Sequence, residues 1–193
     1  KQFETFDFTE TIFISIAAGL SVSWFKNKID KNIKIVRAMP NLPASVGKGV
    51  TGYCITKNLS INEEKNVFTL LSSFGKAIYL ENEVLIDVVT AISGSGPAYI
   101  FYLIEVLSKI GKNQGLDEKD AKSLAVETFI GSANLLEKSN LDPQTLRHNV
   151  TSPGGTTEAG LEILASEQYG LYSLLKSTVQ SAKKRAEDLN SSD

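Results

Sequence analysis

The stretch Asn149-Val150-Thr151-Ser152-Pro153-Gly154-Gly155-Thr156-Thr157-Glu158 lies between two apolar-periodic segments, 141–150 and 158–165. Its composition reads as a tight glycine loop opening onto a helix. Pro153 sets one φ angle, and Gly154-Gly155 permit positive φ and close approach of a ligand to the backbone. Thr156 and Thr157 stand at N-cap positions, just before Leu161 and Leu164 repeat at helical spacing. A helix start of this kind leaves N–H groups free, and a carboxylate or phosphate suits them. The two threonine hydroxyls can donate to a polar group on the same ligand. A lone Pro-Gly-Gly would be an ordinary interhelix turn. Ser152, the glycine pair and the threonine pair together point to a ligand site.

Outward from this loop the chain has two characters. From residue 82 onward the pattern is helical: 82–92, then a long helix opened by Ser95 and Pro97 to about 114, then 117–138. Asp142-Pro143 opens a shorter helix that runs into the loop, and a last helix covers 169–189. Before residue 82 the pattern alternates. Residues 11–17 and 34–39 read as strands, 21–29 as a short helix, and 40–43 as a proline-stopped loop. A strand over 49–56, a helix over 62–74 capped by Asn62 and a strand over 77–80 complete a β-α-β-β-α-β succession. That order predicts an α/β layer with parallel strands.

Composition limits the function classes. A formal net charge of -2 supplies no field to attract nucleic acid, and the run Lys183-Lys184-Arg185 suits a solvated helix end. No apolar run is long enough to span a membrane. The only cysteine is Cys54 and the only histidine His148. These exclude a multi-cysteine zinc site and disfavour a histidine metal site, and one free thiol fits a reducing compartment. Cys54 is expected to be a small buried hydrophobe. Gly94-Ser95-Gly96-Pro97-Ala98-Tyr99 imitates a dinucleotide fingerprint. It ends in tyrosine and follows a helical segment, so it reads as a sharp helix-helix corner. Ile16, Ala17 and Ala18, and then Met39, Pro40 and Asn41, lie at strand exits where open α/β sheets bind ligands. Glu83 opens a helix.

Four motifs carry a family resemblance: ISIAAG at 14–19, RAMPN at 37–41, SGSGPAY at 93–99 and VTSPGGTTEAG at 150–160. With them the chain resembles the pyrroline-5-carboxylate reductases. Ala165 departs from the polar residue usual at that position. Members of the family begin with a glycine-rich strand-turn-helix that holds the cofactor pyrophosphate. No such segment occurs here, so the chain is expected to begin partway through the nucleotide domain.

The resemblance implies the C-terminal part of a Rossmann-like NAD(P)-binding domain over 1–81 and an all-helical substrate-binding and dimerisation domain over 82–193. The implied reaction reduces 1-pyrroline-5-carboxylate to L-proline with hydride from NADPH or NADH, without a metal, in the cytoplasm. Substrate would meet Glu83, Asn149, Ser152, Gly155, Thr156 and Thr157, with the Thr157 hydroxyl near the ring nitrogen as the catalytic group. Ile16, Ala17, Ala18, Met39, Pro40, Asn41 and Asn149 would line the cofactor cleft. A homodimer is implied, with dimers assembling into a decamer. Two other readings stand beside this one. A two-domain 3-hydroxyacid dehydrogenase would need a lysine early in the long helix, whereas Lys109 and Lys112 fall late. A dimerising fragment without turnover would associate but not bind NAD(P)H.

Overall fold

The computed structural model describes Phe8 and residues 10–190, so the outer ends of the two expected domains lie outside the described residues. Among the described residues four strands form one sheet in the order β1-β2-β3-β4: β1 (Ile12–Ser15), β2 (Lys34–Met39), β3 (Gly49–Ile55) and β4 (Gly75–Tyr79). The sheet is mixed, not parallel as expected. β1 pairs with β2 in parallel, with Ser15 opposite Arg37, and β3 pairs with β4 in parallel. Between them β2 and β3 run antiparallel, with Arg37 opposite Cys54. The physical reason is the connection. Residues 40–48 hold only a 3-10 turn, Leu42–Val46, and a parallel crossover needs a dozen residues or more.

Helix α1 (Val22–Lys28) links β1 to β2 and is capped by Ser21, whose hydroxyl accepts from the Trp24 N–H. Helix α2 (Ile61–Ser72) links β3 to β4. Its cap is Ser60, not Asn62. The Ser60 hydroxyl accepts from the Glu63 N–H while the Glu63 carboxylate accepts from the Ser60 N–H, a reciprocal capping box. Glu63 also accepts from Lys34 Nζ at 2.7 Å. Those hydrogen bonds hold its carboxyl down at about 2, below the ordinary 4.5.

Strand β2 is buried on both faces, as alternation across a covered sheet requires. On one face Val36 and Ala38 meet Tyr53, Leu59, Val67 and Leu71 under α2. On the other face Arg37 meets Asp87 of α3 (Leu85–Val89). Cys54 is buried as expected, and desolvation pushes its thiol up to about 11, so it stays protonated and unreactive.

The expected helix over 82–92 becomes α3 followed by one π turn, Thr90–Gly94. At the glycine pair, Ser95 keeps right-handed helical angles and α4 (Gly96–Asn113) follows directly. The expected sharp corner is therefore a π widening with a bend. The element before it is helical, as the rejection of a dinucleotide fingerprint required.

Packing divides the chain into two compact units, 1–97 with 178–193, and 98–177. The expected boundary at 81/82 falls inside the first unit. The second unit contains most of α4, then α5 (Glu118–Lys138), α6 (Pro143–Asn149), α7 (Thr156–Leu164) and the first part of α8 (Leu171–Asn190). Asp117 and Asp142 cap α5 and α6 with their carboxylates. Gly111 lets the end of α4 approach α5, since a Cβ there would stand 3.2 Å from the Ala121 Cβ. Among the described residues no helix is long and apolar enough to cross a membrane.

Candidate functional site

In the second unit the loop and helix start predicted from sequence form as one piece. Helix α6 ends at Asn149, which is exposed. The Thr151 hydroxyl and N–H donate back to the carbonyls of Arg147 and His148 and close that helix end. Gly154 adopts φ 70°, a left-handed conformation that a side chain would strain. The N-cap of α7 is Gly155, so Thr156 and Thr157 are the first two helical residues and neither hydroxyl caps the helix.

Few N–H groups of this stretch are left open to an acceptor outside it. The Gly155 N–H donates to the Ser152 carbonyl at 2.9 Å, and the Gly154 N–H donates to the Glu158 carboxylate at 2.7 Å. Among the described residues the N–H groups of Thr156 and Thr157 meet no acceptor, and both side chains are exposed. Ser152 is exposed as well. Gly155 therefore shapes the loop while the next two residues present the donors. Its lack of a side chain is required sterically, because a Cβ would lie 2.9 Å from the Ser152 oxygen.

Glu158 ends the stretch quoted from the sequence, with no role assigned to it there. An acid three residues past a helix N-cap is a sequence signal for reaching back into the preceding turn. Here it braces Gly154 instead of the cap residue.

The first unit collects the other expected residues. Because β1 and β2 are parallel and in register at Ser15 and Arg37, their exits lie side by side. Ile16, Ala17 and Ala18 are exposed there, with the Ala17 N–H donating to the Ser15 hydroxyl. Met39, Pro40 and Asn41 are half-buried beside them. The Asn41 amide ties the exit down: its oxygen accepts from the Val50 N–H at 2.9 Å and its nitrogen donates to the Ser93 carbonyl at 3.1 Å. Met39 Cε approaches Gly94, where a Cβ would be 3.2 Å away. The lookalike glycine run thus packs against the β2 exit.

Glu83 precedes α3. Its Oε1 accepts from the Val22 N–H at 2.8 Å and from Arg37 Nη1 at 3.0 Å. Arg37 was not singled out from the sequence beyond the RAMPN motif, and a charged residue inside an apolar strand was its signal. The two lysines weighed for the dehydrogenase reading lie on a groove along α4 and α5, lined by Phe101, Ile104, Val126 and Ile130, and Lys112 pairs with Glu118.

Along most of its length the chain is similar to known proteins. A family described as "Pyrroline-5-carboxylate reductase dimerisation" matches residues 83–189. The chain is 36% identical over 178 residues to "Pyrroline-5-carboxylate reductase 2" of Bacillus subtilis (strain 168), spanning 92% of this chain and 63% of that protein's length. It is similar to a solved pyrroline-5-carboxylate reductase from Coxiella burnetii, with TM-score 0.87 and 34% identity over 94% of this chain and 67% of that one. A second similar structure is the Plasmodium falciparum pyrroline carboxylate reductase with NADP bound, with TM-score 0.83 and 33% identity over 95% and 73% of the two chains.

Proposed function

The chain belongs to the pyrroline-5-carboxylate reductase family, and on that premise we propose that its protein reduces 1-pyrroline-5-carboxylate to L-proline with NADPH or NADH in the cytoplasm. The observation that carries this reading is the pair of unpartnered N–H groups of Thr156 and Thr157, at the start of α7 beside a Pro-Gly-Gly turn. A small cyclic imine with one carboxylate suits that site. The helix N-terminus holds the carboxylate and fixes the ring beside the Thr157 hydroxyl. That hydroxyl orients the ring nitrogen and helps deliver the proton that balances reduction of the C=N bond. Asn149 and Ser152 border the ring from the same loop, and Glu83 is a further substrate contact that the family resemblance implies.

The residues of the first unit fit the nicotinamide half of the cofactor. Exposed Ile16, Ala17 and Ala18 beside Met39, Pro40 and Asn41 offer small and apolar walls at the carboxyl edge of a parallel strand pair. Bound there, NADPH or NADH would supply the hydride for the imine carbon. The protein's part is alignment of the two reactants. Lys109 and Lys112 lie late in α4, far from its start, which weakens the 3-hydroxyacid dehydrogenase reading.

A homodimer built on the helical domain, with dimers joining into a decamer, completes the proposal. Its support is the apolar surface of the second unit, where Phe101, Ile110, Leu124 and Ile130 are exposed. The test is NADPH oxidation by the purified protein with 1-pyrroline-5-carboxylate as substrate. Turnover with this imine is expected, and no reduction of NADP+ or NAD+ when 3-hydroxy acids are supplied with the oxidised cofactor. The reverse preference would remove the reading.

A further inference from the structure

Arg37 sits within the buried strand β2 with 4% of its side chain exposed. A guanidinium keeps its charge when buried, so its surroundings must supply anions and acceptors. Nη1 donates to Glu83 Oε1 at 3.0 Å, and Nη2 donates to Asp87 Oδ1 at 3.4 Å and to Asn190 Oδ1 at 3.2 Å. Nε is buried without a partner among the described residues.

The two carboxylates around Arg37 are held differently. Asn190 donates to both oxygens of Asp87, at 2.9 and 3.0 Å, and the Asp87 side chain is 9% exposed. Asp87 is thus a closed counter-ion. Glu83 is 31% exposed, and both of its donors, Arg37 and the Val22 N–H, bind the same oxygen, Oε1. Oε2 has no partner among the described residues. A carboxylate serving only to neutralise Arg37 would turn both oxygens to the fork, as such pairs do.

We propose that Arg37 and the Val22 N–H are a positioning pair that grips Glu83 by Oε1 and leaves Oε2 to accept a hydrogen bond from the ring nitrogen of the substrate and product. One guanidinium between two carboxylates leaves a net negative charge on the cluster. That charge favours the protonated imine, whose N–H donates to Oε2; hydride arriving at the carbon leaves a neutral ring N–H, which takes one further proton from solvent to become the cationic secondary amine. Arginine is required because separate nitrogens hold Glu83 and Asp87, and the single ammonium of lysine cannot span both. This inference rests on the proposed contact of Glu83 with substrate.

The test uses the enzyme under turnover and three substitutions. Glu83→Gln comes first. An unchanged KM for the imine and an unchanged L-proline Kd in that variant would remove the Glu83 contact itself, apart from any role of Arg37. With that contact standing, Arg37→Lys is expected to raise the L-proline Kd about tenfold to a hundredfold. Its NADPH Kd is expected to stay within about twofold. In the Glu83→Gln background the same change should add almost nothing, because the grip has lost its object. Additive losses, or equal losses for proline and NADPH, would assign Arg37 a structural role and overturn the proposal. Should Arg37→Lys not fold, Val22→Pro removes the other half of the grip. Val22 is the first residue of α1, where proline is favoured, and Ser21 before it is extended at ψ 160°. Weaker proline binding that disappears in the Glu83→Gln background supports the grip, and unchanged binding refutes it.

Discussion

Replacing Gly155 by alanine tests whether the loop geometry, more than its chemistry, sets substrate affinity. Gly155 has φ -86° and ψ 168°, angles open to any residue, so the backbone itself opposes nothing. The obstacle is steric. An added Cβ would lie 2.9 Å from the Ser152 oxygen, whereas ordinary contact begins at 3.4 Å. The carbonyl must therefore withdraw by about half an ångström, and it is the same atom that accepts the Gly155 N–H. That displacement passes directly to the Thr156 and Thr157 N–H groups, the next two donors in the chain. A hydrogen bond to a carboxylate contributes about 1.5–3 kcal/mol, and misaligning one should cost roughly 1–2 kcal/mol. The L-proline Kd should rise about 5- to 30-fold. Ser152 and Gly154 are exposed and the loop is outside any core, so global stability should change by no more than about 0.5 kcal/mol. Calorimetric titration with L-proline, paired with a thermal melt, reads both quantities. Full affinity in a folded Gly155→Ala protein would show that this loop does not hold the carboxylate.

Thr157→Ala should raise the activation barrier for turnover by about 1–3 kcal/mol while the NADPH Kd holds, because the role proposed for the hydroxyl is toward the imine and not the nucleotide; steady-state kinetics with equilibrium NADPH titration checks the split. Glu63 has a folded carboxyl at about 2 against an ordinary 4.5, so its contribution to stability is present above that ordinary value and lost as pH falls toward 2. Glu63→Gln should accordingly lower the Tm at neutral pH, with the gap to the parent protein closing on acidification; a constant gap would refute the assignment. Ile130→Glu puts a charge among the apolar residues of the α4–α5 groove and should shift the proposed dimer toward monomer by light scattering, because an unpaired charge is costly to bury between protomers.

The sequence by itself determined much of the helical half, because its signals are local. Asp117 and Asp142 cap the helices they were expected to open, and both helices fall where periodicity put them. The Pro-Gly-Gly loop was legible for the same reason: its turn and its helix start are set within ten residues. Even there the detail needed three dimensions. Which N–H groups stay free depends on the Ser152 carbonyl and the Glu158 carboxylate turning back onto the loop. Whether Ser60 or Asn62 caps α2 was a choice between two nearby polar residues, decided by where the first helical turn begins. The mixed sheet was missed because strand order was read without weighing the nine-residue connection at 40–48, a length too short for a crossover.

The Glu83 grip lies beyond any local reading. Arg37 reaches Glu83 across 46 positions of sequence and Asn190 across 153. Caps and periodicity depend on residues three or four apart, so the chain displays them directly. A buried charge chooses its partners among whatever the folded sheet and its helices bring within 3 to 4 Å, and only the tertiary structure decides which oxygen is held and which is left for a ligand.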